Sequence, residues 1–213
     1  MIKIIKLVIF IFTLSSCSSL PSVNYFEAAK ESAKYITGKN NFEITNETFL
    51  QQEYSFIKVR LGSSTPIIMV LAYMNQGVFE WVDADRRKIF TYNGKIIELD
   101  GFNHDIKIQH PHSKIPYLYS STKINYAVDF YSPSLLSLNI NSQISIDQSE
   151  KFPLIRLDKE EKFARVEEII NAPLINWTKK NIYYFDNGNQ VFMTQQHVHP
   201  RMPKITIEFY FKY

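Results

Sequence analysis

Short segments in which apolar and polar residues alternate follow one another through most of this chain, and turn-forming residues separate them. Residues 57–61 alternate apolar with basic side chains, and residues 124–130 show the same period of two. Such alternation places the apolar side chains on one face of a β-strand, so we expect Lys58 and Arg60 on a solvated face. Asn93-Gly94 lies between two of these segments and is the strongest short signal for a β-hairpin. The pattern predicts antiparallel β-structure.

The predicted strands divide the chain without any linker or repeat. Residues 54–99 form a meander of five strands, one of which, in the apolar run Pro66–Met74, is buried on both faces. Residues 100–122 are predicted as a long loop, and Lys159–Lys162 as a turn. The remaining strands are predicted around residues 124–130 and 138–146, in a hairpin over residues 177–195, and in a closing strand over residues 205–213.

One helix is predicted before the strands. Asn24 can cap residues 24–37, whose composition favours a helix, and Gly38 can end it. Aromatic residues make up 15% of the chain, which suits half-buried strands. We therefore expect a mostly β fold over residues 24–213: a single antiparallel β-barrel or sandwich-like domain with one N-terminal helix packed on it.

The N-terminus has the pattern of a bacterial export signal. Residues 1–16 combine two lysines, a short apolar run and small residues, and the apolar run is too short to span a bilayer. Leu14–Cys17 resembles a lipobox, which implies that Cys17 becomes the acylated N-terminus and that residues 17–23 form a tether. Because Ser18 follows the cysteine, where aspartate would resemble an inner-membrane retention signal, we expect a lipid anchor at the periplasmic face of the outer membrane.

Charge and motifs exclude several classes of function. The formal net charge of +3 falls to +1 once Lys3 and Lys6 leave with the signal peptide, so no strong field attracts nucleic acid. The sequence contains no Gly-x-Ser-x-Gly elbow, phosphate loop, dinucleotide fingerprint or His-Glu-x-x-His motif. We therefore predict no cofactor and assign no catalytic residue.

Two groups of polar residues leave alternatives open. His104, His110-Pro-His112 and His197-Val-His199 have ligand-type spacing, but zinc needs three or four converging ligands, and we predict no metal site. Glu80, Asp83 and Asp85 lie near Trp81 and could include a pair of carboxylates of the glycosidase type. A turn explains Asp83 and Asp85 more simply.

Aromatic and basic side chains supply the candidate ligand-binding residues. Trp and Tyr rings can stack on sugars, although most rings in an aromatic-rich β domain fill its core. Trp81, Arg86 and Trp177 are the residues that we single out for ligand binding.

Many residues, in order and spacing, resemble the YjbF/GfcB (YmcC-like) family of lipoproteins. The resemblance is carried by Tyr54–Gly62, Val70–Ala72, Gly77, Trp81-Val82, Ala84–Arg86, Gly94–Ile96, Trp177, Gly188, Val191, Gln195-Gln196, Pro200–Pro203 and Ile205–Glu208. The run Gln195–His199 departs from the family pattern, in which we expect Ser-Arg-Gln. The resemblance implies a β, barrel-like fold with a helix and a place in operons for exopolysaccharide or group-four capsule. It implies no enzymatic activity.

The expected function combines the anchor with this resemblance. We expect an outer-membrane lipoprotein that is a non-enzymatic accessory in exopolysaccharide or capsule assembly and export. Its partners would be membrane lipid, through acylated Cys17, and the polysaccharide or its export machinery. The alternative is a periplasmic carbohydrate-active enzyme or polysaccharide-binding module with carboxylates near Trp81, and a third possibility is a metal-binding module built on the histidines.

Overall fold

Each strand of this protein pairs antiparallel with the next strand in the sequence, and the last strand pairs with the first. The computed structural model describes residues 43–111 and 121–212, except for the side chains of residues 147–150. Within these residues twelve strands form a closed barrel. They are β1 (Phe56–Leu61), β2 (Ile67–Asn75), β3 (Val78–Val82), β4 (Lys88–Tyr92), β5 (Lys95–Asp100), β6 (Ile106–Ile108), β7 (Thr122–Tyr131), β8 (Ser134–Arg156), β9 (Lys159–Ala172), β10 (Trp177–Phe185), β11 (Val191–Gln196) and β12 (Ile205–Tyr210).

Tight turns keep sequential strands adjacent. Between β4 and β5, Asn93 and Gly94 have φ angles of 50° and 81°, the left-handed pair that a two-residue hairpin turn requires. Because the strands alternate in direction, the connections fall at two ends of the barrel. We call the end where β1 begins the near mouth and the end where β1 finishes the far mouth. The connections after the odd-numbered strands all lie at the far mouth.

Large side chains fill the interior of the barrel. Trp81, Phe130, Tyr183 and Phe209 point inward and are almost fully buried within one continuous apolar cluster. An internal cavity of about 20 Å³ lies beside Lys95, close to the size of a single water molecule. The part of the barrel that the structure describes therefore has a packed interior, and this cavity is too small for a sugar.

A second apolar cluster covers part of the outer face of the barrel. Phe56 and Tyr210, on β1 and β12, stack with ring centroids 4.9 Å apart. They are buried beneath a helix, α1 (Asn46–Gln51), and the tip of the long β8–β9 hairpin, which contributes Phe163. Asp158 in the hairpin turn accepts a hydrogen bond of 2.8 Å from the backbone N–H of Asn46, which ties the tip to the helix.

The mostly β, antiparallel fold class is confirmed, and the alternative left open between a barrel and a sandwich is decided in favour of a barrel. The meander over residues 54–99 is present as β1–β5, and the hairpin over residues 177–195 as β10 and β11. The strand predicted in the run Pro66–Met74 is β2, and it is buried on both faces over residues 68–71. The signal peptide predicted over residues 1–16, the tether predicted over residues 17–23 and the helix predicted over residues 24–37 lie outside the described residues.

Three local predictions are wrong. Lys159–Lys162 begins β9, because the turn is formed by Leu157 and Asp158, whose φ angles are 49° and 64°. The predicted loop over residues 100–122 contains the short strand β6. Lys58 was expected on a solvated face, but it is only 8% exposed because the hairpin tip packs beside it.

Helix α1 was also not expected. Thr45 caps it through a hydrogen bond of 3.1 Å from the Thr48 backbone N–H to the Thr45 hydroxyl. No helix among residues 43–111 and 121–212 has the length and apolar character needed to cross a membrane.

Candidate functional site

A pocket of about 290 Å³ opens at the far mouth of the barrel. Three connections form it: the β3–β4 turn contributes Arg87, the β5–β6 connection contributes residues 101–104, and the β11–β12 connection contributes residues 201–203. Two arginines and His104 line the pocket, and no acidic side chain is among the described residues that line it. We call it the far-mouth pocket.

Arg87 is held in place by the turn that precedes it. Asp83, only 3% exposed, accepts hydrogen bonds of 2.9 Å from the backbone N–H groups of Asp85 and Arg87. The same carboxylate pairs with Arg87 Nε at 2.6 Å, and Asp85 pairs with Arg87 Nη2 at 3.2 Å. The guanidinium also lies 5.7 Å from the centre of the Phe102 ring. These contacts leave three of the five guanidinium N–H groups without a partner among the described residues.

Arg201 is carried by a turn between β11 and β12. Its backbone N–H donates to His199 Nδ1 at 3.1 Å, and the Met202 N–H donates to the His199 carbonyl at 3.1 Å. Within residues 43–111 and 121–212 the Arg201 guanidinium has no ion-pair partner, and the residue is exposed. Arg201 therefore brings an uncompensated positive charge to the far-mouth pocket.

Two histidines meet at the edge of this pocket. The rings of His104 and His199 stack with centroids 4.7 Å apart and planes 6° apart. His104 Nδ1 lies 2.6 Å from the Ser132 carbonyl and so donates to it, which leaves Nε2 as the acceptor of the neutral ring. Burial lowers the pKa of His199 to about 4, with further contributions from His104 and Arg201.

The histidines do not form a metal site in the part of the chain that the structure describes. No group of three His, Cys, Asp or Glu side chains converges there. The stacked rings of His104 and His199 face one another, whereas ligands of one metal ion point their nitrogens at a common centre. His112, one of the predicted candidates, lies outside the described residues.

A buried ion pair crosses the interior of the barrel. Lys95 on β5 pairs with Glu168 on β9, and the two residues are 2% and 0% exposed. Glu168 also accepts hydrogen bonds from the Ser142 hydroxyl at 2.6 Å, Asn181 Nδ2 at 3.2 Å and the Tyr183 hydroxyl at 2.7 Å. Since every oxygen of the carboxylate is satisfied by donors on other strands, the charge is compatible with its burial.

The charged state of this pair is set by two opposing effects. Burial alone would raise the pKa of Glu168, but Lys95 and the hydrogen-bond donors lower it below its usual range. Burial would lower the pKa of Lys95, but Glu168 and Tyr126 raise it. Burial raises the pKa of Tyr126 to about 12, so this hydroxyl stays protonated at neutral pH. The network therefore joins strands around the barrel, and a cavity of about 20 Å³ lies beside it.

The structure separates the three residues that the sequence singled out for ligand binding. Trp81 is 0% exposed inside the barrel and donates from Nε1 to the Thr91 hydroxyl at 2.9 Å. Trp177 is 8% exposed and packs edge-on against Phe130. Arg86 is exposed in the β3–β4 turn, next to the far-mouth pocket. Of the three, Arg86 alone is presented to solvent, and whether any of them binds a ligand stays a prediction.

The candidate carboxylates near Trp81 are each engaged by a cation. Glu80 pairs with Lys88 at 3.0 Å, and Asp83 and Asp85 both pair with Arg87. Asp83 and Asp85 lie in a turn, which was the simpler interpretation of their spacing.

Comparison with known proteins identifies the class first. The crystal structure of the hypothetical lipoprotein YmcC from Escherichia coli K12 matches with a TM-score of 0.67 and 16% sequence identity, covering 80% of this chain and 90% of that chain. At this identity the similarity shows the fold alone, so the class that it defines is a closed antiparallel β-barrel. No curated protein sequence matches this chain.

The family follows from the sequence match. The family model described as "Group 4 capsule polysaccharide lipoprotein gfcB, YjbF" matches residues 29–210. The chain therefore belongs to the YjbF family, as the residues quoted above indicated. Membership places it among membrane-anchored lipoproteins of the cell envelope that are connected with capsule polysaccharide.

Sequence reasoning missed Arg87 and Arg201 as partners in one pocket. The available signals were Arg86-Arg87, of which only Arg86 was singled out for ligand binding, and Arg201, which lies between Pro200 and Pro203. These motifs are more than a hundred residues apart, and only the closure of the barrel brings their connections together.

Proposed function

We propose that this protein is an outer-membrane lipoprotein, anchored through acylated Cys17, that acts as a non-enzymatic accessory in capsule or exopolysaccharide assembly and export. Membership of the YjbF family supports the polysaccharide context. The lipobox-like Leu14–Cys17 supports the anchor, since two or more acyl chains bind a membrane far more firmly than the single chain that binds only reversibly.

The observation that carries the proposal is the chemistry of the far-mouth pocket. Its lining offers guanidinium groups, an imidazole and apolar surface, which are the groups that bind a polar ligand and orient it. Glycoside hydrolysis by the usual mechanism needs two carboxylates on either side of the scissile bond. Glu80, Asp83 and Asp85 are instead each paired with a neighbouring cation, Glu80 with Lys88 and the two aspartates with Arg87. The pocket therefore favours binding over turnover.

The experiment is a deletion of the gene, complemented by variants. Deletion should reduce surface polysaccharide, and the parent gene should restore it. A Cys17→Ala gene should not restore it and should yield protein that leaves the membrane fraction after a high-salt wash, because the anchor lies in the acyl chains. Normal surface polysaccharide in the deletion strain would refute the assembly role.

The non-enzymatic part of the proposal needs a separate measurement. Purified protein incubated with the native polymer should produce no new reducing ends, no released acyl groups and no change in chain length. Turnover that disappears in Glu80→Gln or Asp85→Asn would overturn this part and show that the protein is an enzyme.

A further inference from the structure

We propose that the far-mouth pocket binds a carboxylate-bearing sugar unit of an acidic polysaccharide, with Arg201 as the main ligand of the carboxylate. This inference rests on the proposed function, because it names the class of polymer that the accessory protein would hold. It adds the residues, the charge preference and the end of the barrel at which binding occurs.

The charge of the pocket lining is the first argument. Arg87 and Arg201 both line it, but Arg87 is already paired with both Asp83 and Asp85. Arg201 is therefore the guanidinium of the lining that has no ion-pair partner among the described residues. A planar guanidinium binds a carboxylate through two parallel hydrogen bonds, which gives orientation as well as attraction. The free N–H groups of Arg87 can donate to neutral sugar oxygens in the same pocket.

The other lining groups suit a sugar better than a simple anion. His104 Nε2 can accept from a sugar hydroxyl, because His104 Nδ1 is held by the Ser132 carbonyl. Leu61, Met202 and Pro203 supply apolar surface of the kind that packs against the face of a pyranose ring. Sugars present this mixture of hydroxyl groups and C–H surface, whereas oxyanions such as phosphate present oxygens alone.

The size of the pocket limits what it can hold. Its volume of about 290 Å³ is close to the lower end of the range for small-ligand pockets, about 300–1,000 Å³. It therefore admits a short part of a polymer, with the rest of the chain passing over the rim of the barrel. Exposed Arg86 lies beside this path.

The other cavities fit this ligand less well. At the near mouth a cavity of about 220 Å³ is lined mainly by apolar residues, among them Met74, Phe79 and Phe211, and no charged side chain lines it among the described residues. On the outer face a cavity of about 180 Å³ lies beside Lys58, which is paired with Glu208 at 2.7 Å. Of these three cavities, the far-mouth pocket has the largest volume and is lined by Arg201, a cation without an ion-pair partner among the described residues.

The test is calorimetric titration of the mature lipoprotein, purified in a neutral detergent, with tetragalacturonic acid. Maltotetraose serves as the neutral probe of equal length. The acidic probe should bind, with an affinity that falls at high salt, and the neutral probe should bind much more weakly. Arg201→Gln should weaken binding of the acidic probe by about 10- to 100-fold, since a hydrogen bond to a charged group is lost.

Two further variants make the test specific. Lys123→Gln removes one positive charge at the near mouth and should leave the affinity unchanged. Asp85→Asn removes a carboxylate that is exposed beside Arg87 and should strengthen binding, which a merely damaged protein would not do. Absence of binding by the acidic probe, equal binding of both probes, or an unchanged affinity in Arg201→Gln would overturn the assignment.

Complementation separates this inference from the proposed function. If the deletion strain loses surface polysaccharide and Arg201→Gln restores it fully, the pocket assignment fails while the assembly role stands. If the deletion strain keeps its polysaccharide, the assembly role fails whatever the titrations show.

Discussion

Replacing Lys95 by methionine should strongly destabilise the barrel. The substitution removes the cation paired with Glu168 and leaves an unbranched side chain of similar length, so little cavity forms. Glu168 keeps its three hydrogen bonds from Ser142, Asn181 and Tyr183, but its charge is then unpaired at 0% exposure. Breaking a buried pair in this way costs about 3–5 kcal/mol. That loss is a large part of the total unfolding free energy of a typical protein, which is roughly 5–15 kcal/mol.

A double variant shows whether the loss comes from the unpaired charge. Glu168→Gln alone should also be destabilising, because it leaves Lys95 charged at 2% exposure. The double variant Lys95→Met/Glu168→Gln contains neither charge. Its loss of unfolding free energy should be smaller than the sum of the two single losses by about 2 kcal/mol. Urea denaturation of the mature protein with Cys17→Ala measures all four forms.

The pH dependence supplies an independent check. In the parent, Lys95 and the donors hold the pKa of Glu168 below its usual range. In Lys95→Met the hydrogen-bond donors remain but the lysine no longer opposes burial, so the pKa of Glu168 rises and the folded state takes up a proton more readily than the unfolded chain. The stability defect should therefore shrink as the pH is lowered from 8 towards about 5. Additive losses, or a Lys95→Met protein with the urea midpoint of the parent, would refute the reasoning.

Two further predictions concern single sites. The folded-state pKa of His199 is about 4, below the ordinary value of 6.5. The contribution of His199 to the unfolding free energy is therefore complete above pH 6.5, and it falls by up to about 3 kcal/mol as the pH is lowered towards 4, because the unfolded chain takes up the proton first. The urea midpoints of the parent and His199→Asn should therefore converge on acidification, and a constant difference would contradict this. Gly94→Ala should lower the free energy of unfolding by more than about 1 kcal/mol. The φ angle of this residue is +81°, and the Cβ of an alanine there would lie 2.7 Å from Val191 Cγ2. Gly188→Ala, without a positive φ, is the matched control in thermal unfolding, and equal losses would contradict the steric argument.

Local signals predicted the meander well, because its determinants are close in sequence. Asn93-Gly94 forces a tight turn by itself, and the alternating residues on either side then fix which face is buried. The turn at Leu157 and Asp158 was missed for a local reason as well. Neither residue is glycine, and the acidic and basic side chains that follow are compatible with either a turn or an exposed strand.

The contents of the barrel and the pocket could not be obtained in this way. Lys95 and Glu168 are 73 residues apart, and each looks like an ordinary exposed charge on a strand. Arg87 and Arg201 meet only because β1 and β12 close the barrel. The ring of Trp81 looked like a sugar platform, but which face of β3 turns inward depends on the whole sheet.

The even number of strands in this closed meander has a practical consequence. With twelve antiparallel strands, β1 starts and β12 finishes at the same end of the barrel, and Lys212 N donates to the Ser55 hydroxyl at 2.9 Å to join these two points. A label or fusion partner attached after residue 212 would therefore lie at the near mouth, a full strand length from Arg201. A fluorophore or immobilisation tag placed there should report on the protein without obstructing the opposite rim, and it gives surface-based binding assays a defined orientation.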